Sequence, residues 1–378
     1  MKAIIIGGSL AGLFTANALT AIGWQVEVFE RSESELDSRG GGIVLQPEVV
    51  EAFVFSSIRP SGELGVTAPG RQYLDASGLM IGNARQPQMQ TSWNLLYGYL
   101  KGALDSAHYH QGAELSHFEQ DEHGVRAFFT DGREATGDLL IGADGPGSAV
   151  RSQLLPGLAP QYAGYLVWRG LVDEHRLPDS VVKALGDDFV FQQNPESLML
   201  QYKVPGSHSE LTPGLRRNNW LWYIKAEGEA LEAALTDKNG VRRGHSVPPG
   251  LLAASEESRF RALADTQLNP AFKELVRLTD DLFVQAILDL KVPRMVFGRA
   301  LLLGDAAFIP RPHTAGSTAK AAANALALAR ALQNHSALEP ALAQWQQQQL
   351  TEGQRMVDWG VRMGNRLMAI THPKGGAK

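Results

Sequence analysis

The segment GGSLAG, residues 7–12, has the composition of a turn that binds phosphate. A dinucleotide fingerprint needs one glycine for a tight turn, a small residue where the backbone meets the pyrophosphate, and a glycine where the next helix packs on the strand. Gly7 and Gly12 occupy the outer positions, and Ser9 replaces the middle glycine with a hydroxyl that can itself bond a phosphate oxygen. The N-terminus of the following helix would favour anions. The alternative is a glycine-rich turn in some other α/β protein.

An acid at the end of the next strand favours the nucleotide interpretation. The sequence predicts a strand over Ala3–Ile6, an Ala- and Leu-rich helix that closes near Gly23, and a second strand over Gln25–Phe29. Glu30 follows that strand, where its carboxylate can accept hydrogen bonds from ribose hydroxyls. This βαβ unit has the length that dinucleotide folds use. An acid at this position argues against a 2′-phosphate.

A second carboxylate, Asp305, follows an apolar run in the segment LLLGDAAFIPRPH. At the carboxyl end of a strand in an α/β sheet, a side chain points into the crevice where such sheets bind ligands. The alternative is that Asp305 caps the coming helix. Two prolines and His313 separate it from the helical sequence, which weakens that alternative.

A third segment, GADGPGSAVR at residues 142–151, also follows a predicted strand. Its glycines, Gly145 and Gly147, have the spacing of a second dinucleotide fingerprint. The helix after them meets Pro156-Gly157 too early to form a full crossover, so we do not predict a second nucleotide fold here.

The elements around these segments predict an α/β chain, α+β overall, with an inserted sheet. Residues 1–160 and 286–335 are expected to form a Rossmann-like domain in two parts. Aromatic-rich runs between residues 161 and 285 predict an antiparallel β domain, and 336–378 is expected to form C-terminal helices.

Composition excludes several classes of protein. The chain has 378 residues, no cysteine and a formal net charge of −5 with scattered basic residues. Disulfides and thiolate metal sites are therefore excluded, and no nucleic-acid surface is indicated. The start MKAIIIGG runs straight into a strand, and no apolar run is long enough for a bilayer. We expect a cytoplasmic protein without a signal peptide, a membrane partner or a metal site.

The chain resembles the single-component FAD-dependent aromatic hydroxylases of the para-hydroxybenzoate hydroxylase type. The resemblance rests on GGSLAG with Glu30-Arg31, on GADGPGSAVR and on GDAA. The three motifs stand in that family's order and span most of the chain. YAGYLVWRG and PRPHTAGSTAKA are most similar to the 2,6-dihydroxypyridine hydroxylase branch.

The resemblance implies FAD as cofactor and NADH or NADPH as a transient co-substrate. It implies that Ser9, Leu10, Glu30 and Arg31 hold the ADP half, and that Asp144 and Gly145 lie beside the pyrophosphate. It further implies that Asp305 binds the ribityl chain, that Gln46 lies near the flavin, and that Pro310 to His313, including Pro312, pass close to the ring. The sequence departs from the family in Phe308 after GDAA, in Trp93 or Asn94 where an arginine is common, and in AGST where Gly-x-Gly is usual.

The implied reaction is hydroxylation of an electron-rich aromatic ring, a hydroxypyridine or a phenol in aromatic catabolism, by O₂ through a C4a-hydroperoxyflavin. Candidates for binding or activating the substrate are His313, Tyr202, Tyr223 and Arg169. The alternative for His313 is that it caps the following helix or pairs with a side chain nearby in the sequence. For Arg169 the alternative is an ion pair with Asp173 or Glu174, and the aromatic strands could be core packing.

Two other functions stay open from the sequence. One is a flavin-dependent reductase or dehydrogenase on the same fold, and the other is a non-catalytic ligand-binding flavoprotein. The expected partners are a small aromatic substrate and O₂, with the chain a monomer or a homodimer.

Overall fold

The computed structural model describes residues 1–34, 36 and 41–370. Residues 371–378, which the predicted C-terminal region includes, lie outside the described residues. In chain order the described strands are β1 (Lys2–Ile6), β2 (Gln25–Phe29), β3 (Gly42–Val44), β4 (Val66–Ala68), β5 (Arg71–Leu74), β6 (Met80–Ala84), β7 (Gln88–Ser92), β8 (Tyr109–His110), β9 (Leu115–Gln120), β10 (Val125–Phe129), β11 (Glu134–Gly137), β12 (Leu139–Gly142), β13 (Gln161–Asp173), β14 (Phe189–Asn194), β15 (Ser197–Val204), β16 (Arg217–Lys225), β17 (Ser246–Val247), β18 (Phe283–Lys291), β19 (Val296–Phe297), β20 (Ala300–Leu302) and β21 (Phe308–Ile309).

The described α-helices are α1 (Leu10–Ala21), α2 (Pro47–Phe55), α3 (Trp93–Gly102), α4 (Ala149–Leu154), α5 (Asp179–Leu185), α6 (Gly228–Ala234), α7 (Ala254–Gln267), α8 (Pro270–Leu278), α9 (Ser317–Asn334) and α10 (Leu338–Leu367).

A six-stranded sheet in the order β19-β20-β12-β1-β2-β8 forms the first layer. Strands β1, β2, β8, β12 and β20 run parallel, and β19 is antiparallel to β20. Its central strands are continuous apolar runs because helices cover the sheet, as parallel sheets require. Helices α1 and α9 pack in the same core, where Ile5, Leu13, Leu140 and Leu328 are fully buried.

A larger sheet in the order β17-β18-β13-β16-β15-β14-β5-β6 forms the second layer, with β21 attached to β18. Its neighbours are antiparallel except β14 and β5, which pair in parallel. The predicted fold class, a Rossmann-like domain with an antiparallel sheet and C-terminal helices, is confirmed. The predicted domain boundaries remain a prediction, and β5 and β6 join the large sheet although residue 161 is its predicted start.

The two faces of the large sheet have different roles, because side chains alternate along a strand. Trp168, Trp220 and Trp222 point to one face and pack around Phe260 of α7. The opposite face carries Tyr165 and Tyr223. The prediction of core packing is therefore right for these tryptophans, while the opposite face packs against Val44 of β3, Ala68 of β4 and Met368 after α10.

Candidate active site

Four strands of the first sheet end at one cavity of about 570 Å³. Gly7, Glu30, Asp144 and Asp305 follow β1, β2, β12 and β20 and all line this cavity. Strands β2 and β20 are three strand intervals apart in the sheet, which is roughly 14 Å at about 4.8 Å per interval. The cavity therefore runs across the carboxyl edge of the sheet, where α/β folds bind extended ligands.

Two helices begin at this cavity without a side-chain cap. Ser9 precedes α1 and makes no capping hydrogen bond with its side chain, and Gly316, which precedes α9, has no side chain to cap with. The residues Ser9, Leu10, Ser317 and Thr318 line the cavity. The first amides of a helix have no intrahelical acceptor, so both helices offer N–H groups and a positive field to an anion. The Ser9 hydroxyl is not used for capping and is available to the same ligand.

Glu30 is fixed before any ligand arrives. One of its carboxylate oxygens accepts the Gly8 amide at 2.9 Å, and the other accepts the Ser32 amide at 2.9 Å. The side chain is buried at one wall of the cavity, beside Arg31. Each oxygen keeps a further lone pair, so the carboxylate can still accept from a pair of hydroxyls.

The glycines of the first turn allow the close approach that this geometry needs. Gly7 has φ of +107°, and a Cβ there would lie 2.4 Å from the Ala143 carbonyl oxygen. At Gly12 a Cβ would lie 1.9 Å from the Gly7 carbonyl oxygen, so a side chain would push α1 off the strand. Gly12 does not line the cavity; it packs the helix, as the fingerprint predicts for its last glycine.

Asp305 is held by two donors on α9. The Ser317 hydroxyl donates to Oδ1 at 2.8 Å, and the Lys320 ammonium donates to the same oxygen at 2.7 Å. Lys320 is buried and also donates to the Phe308 carbonyl, and burial lowers the pKa of its ammonium. Both bonds go to Oδ1, which leaves Oδ2 for a ligand in the cavity. Asp305 does not cap α9, whose N-cap position is Gly316.

Asp144 is half-buried, and only one of its carboxylate oxygens has a hydrogen-bond partner among the described residues. Its Oδ2 accepts the Val150 amide at 3.2 Å, while Oδ1 has no hydrogen-bond partner among the described residues. Burial raises the pKa of this carboxyl. Gly145, with φ of +74°, follows it along the same wall. An unpaired buried carboxylate oxygen is costly, and a ligand hydroxyl or water would satisfy it.

The donor set of this first cavity fits FAD. Uncapped helix amides and the Ser9 hydroxyl suit the pyrophosphate, Glu30 suits ribose hydroxyls, and Oδ2 of Asp305 suits a ribityl hydroxyl. Trp93, one of the two candidates for the position where the related family commonly has arginine, lines the cavity, and its ring stacks on that of Tyr97 with centroids 4.6 Å apart. Phe308, another departure from the family pattern, is fully buried against Gly353 of α10 and therefore serves packing.

A second cavity of about 430 Å³ adjoins the first. The two share five lining residues, which are Gly42, Ile43, Arg169, Ser317 and Thr318. Its walls come from the inner face of the large sheet, from Pro312–Thr318, and from Met363 and Leu367 of α10. The sheet supplies the residues that alternation turns inward: Arg71, Tyr73, Phe189, Phe191, Gln193, Leu198, Leu200, Tyr202, Leu221 and Tyr223.

His313 is an uncharged group in this second cavity. Its Nε2 forms a 2.9 Å hydrogen bond with the Tyr165 hydroxyl, and its ring lies 4.5 Å from the Tyr223 ring. Burial, aided by the charge of Arg311, lowers the pKa of the imidazole to about 3. The partner of His313 is 148 residues away in the chain, so it neither caps a helix nor pairs locally.

Tyr202 and Tyr223 are phenols that stay protonated at neutral pH. Burial raises the pKa of Tyr202 to about 12 and raises that of Tyr223 further. Both line the second cavity. They can donate a hydrogen bond to a substrate oxygen, but they cannot act as bases at neutral pH.

Arg169 stands where the two cavities meet. Its guanidinium donates to the Gln285 side-chain oxygen at 3.2 Å, and its Nε has no partner among the described residues. It pairs with neither Asp173 nor Glu174; Glu174 instead binds Arg216 and Lys203. Within the described part of the chain, Arg169 therefore has no carboxylate partner.

The two cavities together contain most of the predicted site residues. Gly7, Ser9, Leu10, Glu30, Arg31, Asp144, Gly145 and Asp305 line the first cavity, and Tyr202, Tyr223, Pro312 and His313 line the second. Gln46 lines neither; it precedes α2 as its N-cap residue. The sequence analysis did not select Arg71, Tyr165 or Lys320. Alternation from Arg169 would have placed Tyr165 on the same face of β13, whereas nothing local marks Arg71 or Lys320.

Comparison with known proteins decides the family. A family model described as FAD binding domain-like matches residues 162–289. The 2,6-dihydroxypyridine 3-monooxygenase of Paenarthrobacter nicotinovorans is 34% identical over 364 residues, which cover 96% of this chain and 90% of that protein. The chain belongs to the FAD-dependent aromatic monooxygenases.

Solved structures agree with this assignment. The monooxygenase matches the 2,6-dihydroxypyridine-3-hydroxylase of Arthrobacter nicotinovorans with a TM-score of 0.91 and 33% identity, over 99% of this chain and 94% of that one. It shares its fold with HpxO of Klebsiella pneumoniae, solved with FAD and uric acid, at a TM-score of 0.77 and 22% identity, over 97% and 88% of the two chains. The cofactor is FAD. Among the described residues of the monooxygenase, no helix is both long and apolar enough to cross a membrane.

Proposed function

We propose that this monooxygenase hydroxylates a hydroxypyridine or a phenol that binds as its anion in the second cavity. The observation that carries the proposal is the junction at Arg169, where an aromatic cavity with no carboxylate in its described lining opens onto the FAD cavity. NADH or NADPH supplies two electrons, one oxygen atom of O₂ enters the ring, and the other leaves as water.

FAD, held in the first cavity by residues such as Ser9, Glu30 and Asp305, would supply the electron-transfer and oxygen-transfer chemistry. This chemistry needs a site from which water is excluded. The walls of the second cavity meet that need, since Leu198, Leu200 and Leu221 stand beside the aromatic rings.

Activation of the ring follows from the charges around it. An aromatic ring is more nucleophilic when its hydroxyl is ionised, and a nearby cation lowers the pKa of that hydroxyl. Arg169 is the cation at the junction, and the protonated phenols of Tyr202 and Tyr223 can donate to the resulting oxyanion. His313 is neutral and is held by Tyr165, so it orients the ring through a hydrogen bond and adds no charge.

Glu30 concerns the ribose of FAD alone, so the proposal includes either NADH or NADPH as the electron donor. A cytoplasmic location and a monomeric or homodimeric state remain predictions.

The test starts with the purified protein. We expect a yellow protein that oxidises NADH or NADPH slowly alone and at least tenfold faster with 2,6-dihydroxypyridine, 2-hydroxypyridine or phenol. Oxygen uptake should match hydroxylated product, measured by an oxygen electrode and by mass spectrometry with ¹⁸O₂.

Three other outcomes would reject the proposal. A protein that takes up no FAD would be neither a hydroxylase nor a reductase. A protein that turns over under strict anaerobiosis and yields a reduced organic product would be a reductase. A protein that binds FAD and ring compounds but never oxidises NAD(P)H would be a binding protein.

A further inference from the structure

A second arginine, Arg71, lines the substrate cavity away from the flavin junction. It is half-buried, it lines the second cavity and not the first, and its Nε is buried with no hydrogen-bond partner among the described residues. No carboxylate in the described part of the chain lies within ion-pair distance of it. Arg71 therefore lines the substrate cavity without an ion pair to the described part of the chain.

Aromatic rings hold this guanidinium in place. Its central carbon lies 6.0 Å from the centre of the Phe189 ring and 5.9 Å from that of Phe191. Strand pairing explains the contact, because Arg71 is the register partner of Phe189 and Tyr73 is that of Phe191. Cation–π contacts of this kind orient an arginine but leave its N–H groups for a planar anion.

Arg71 and Arg169 serve opposite ends of the cavity. They lie on β5 and β13, which are four strand intervals apart in the sheet, or roughly 19 Å between backbones at about 4.8 Å per interval. Tyr73, the neighbour of Arg71 on the same face of β5, is 38% exposed, so this end lies next to solvent. One anionic oxygen on a ring cannot satisfy both arginines.

We infer that Arg71 binds a carboxylate on the substrate, on the side of the ring remote from the flavin. This rests on the proposed function, because it concerns the ring that enters the second cavity. The buried Nε of this half-buried arginine has no hydrogen-bond partner among the described residues, and a carboxylate is the planar acceptor that matches a guanidinium with two parallel bonds. The natural substrate is then an aromatic acid that also bears a ring hydroxyl.

The test compares binding of ring pairs that differ only in the carboxylate. The probes are 6-hydroxynicotinate with 2-hydroxypyridine, and 3- and 4-hydroxybenzoate with phenol, titrated into the oxidised FAD-loaded protein and followed by calorimetry. We expect at least one acid to bind at least tenfold more tightly than its parent. In Arg71→Met that preference should fall at least tenfold, while affinity for the parent ring changes less than threefold.

Two further variants separate charge from structure. Arg71→Lys should keep part of the preference, because it retains the charge without the planar fork. Arg126→Met is the matched control: this exposed arginine also lies over a phenylalanine ring, Phe128, at 5.9 Å, but on another sheet, and its loss should change nothing.

The inference is overturned if wild-type protein binds none of the acids, or if Arg71→Met keeps the preference. It is also overturned if Arg71→Met weakens NADH or NADPH binding instead, since the arginine would then serve the nucleotide. Failure to bind FAD at all would reject the proposed function, whereas FAD-bound protein that hydroxylates only rings without a carboxylate would reject this inference alone.

Discussion

Asp305 and the buried Lys320 form an ion pair whose two members have separate roles. The carboxylate presents Oδ2 to the first cavity, while Lys320 holds Oδ1 from behind at 2.7 Å. The sequence could predict Asp305, because an acid after a buried strand is a recognisable pattern. It could not predict Lys320, because a lysine in an Ala-rich helix ordinarily faces solvent and its burial depends on a contact 15 residues away.

Removal of Asp305 should separate folding from cofactor binding. Asp305→Ala should weaken FAD binding at least tenfold and also destabilise the protein, since it leaves the Lys320 ammonium buried without its carboxylate. The double variant Asp305→Ala/Lys320→Met should recover most of the stability but not the FAD affinity. Urea unfolding of the apoprotein and quenching of flavin fluorescence measure the two effects. If the double variant binds FAD as tightly as wild type does, Asp305 is not part of the cofactor site.

His313 makes stability depend on pH in the acid range. Its pKa falls from an ordinary value of 6.5 to about 3 on folding, so between these values the unfolded chain binds a proton that the folded protein does not. The free energy of unfolding therefore falls as pH drops from 6.5 toward 3, with a slope from this group of at most about 1.4 kcal/mol per pH unit.

We expect His313→Gln to reduce that slope, because glutamine does not titrate and still offers Tyr165 a hydrogen bond. Urea unfolding at pH 4, 5 and 6 measures the difference from wild type. His117→Gln is the control, since His117 is exposed and stacks on Phe128 far from the cavity. If the free energy of unfolding depends on pH in the same way in wild type and His313→Gln, folding does not lower the pKa of His313.

Helix α1 depends on a contact that a single methyl group would break. A Cβ at Gly12 would lie 1.9 Å from the Gly7 carbonyl oxygen, whereas one at Gly98 in α3 meets nothing within 4 Å. Gly12→Ala should destabilise the protein by about 1–3 kcal/mol through overpacking and weaken FAD binding, since the first amides of α1 move. Gly98→Ala should be neutral or stabilise by up to about 1 kcal/mol. Equal effects of the two variants on Tm and FAD affinity would contradict this account.

The sequence predicts best the elements whose bounds are set by residues close by in the chain. The strand predicted over Gln25–Phe29 has those bounds in the structure, because a turn and an alternating apolar run define it. The pairing of β5 with β14 had no such cause, since it joins residues more than a hundred positions apart and in parallel. That pairing brings Arg71 into the substrate cavity, so the most informative residue of the site could not be found from local pattern.

At the scale of the whole molecule, the first cavity joins residues that are distant in the chain. Its walls come from residues between Ile6 and Ala321, from the first sheet, from α9 and from Arg169 on the large sheet. The second cavity depends on the same α9 start and on α10. A ligand in the first cavity therefore contacts both layers, and its binding free energy adds to the stability of the whole fold.

FAD should accordingly raise the Tm of the entire protein in one transition. At a free FAD concentration 100 times Kd the gain is about 2.7 kcal/mol, which for a chain of this size is a Tm rise of a few degrees. ADP, which contacts only the Glu30 end, should give a smaller rise, and Asp305→Ala/Lys320→Met should respond to ADP as wild type does but less to FAD. Differential scanning fluorimetry with each ligand measures these shifts. An FAD response no larger than the ADP response would mean that the Asp305 end of the cavity contributes nothing to binding, and the flavin would then lie outside the cavity that these residues form.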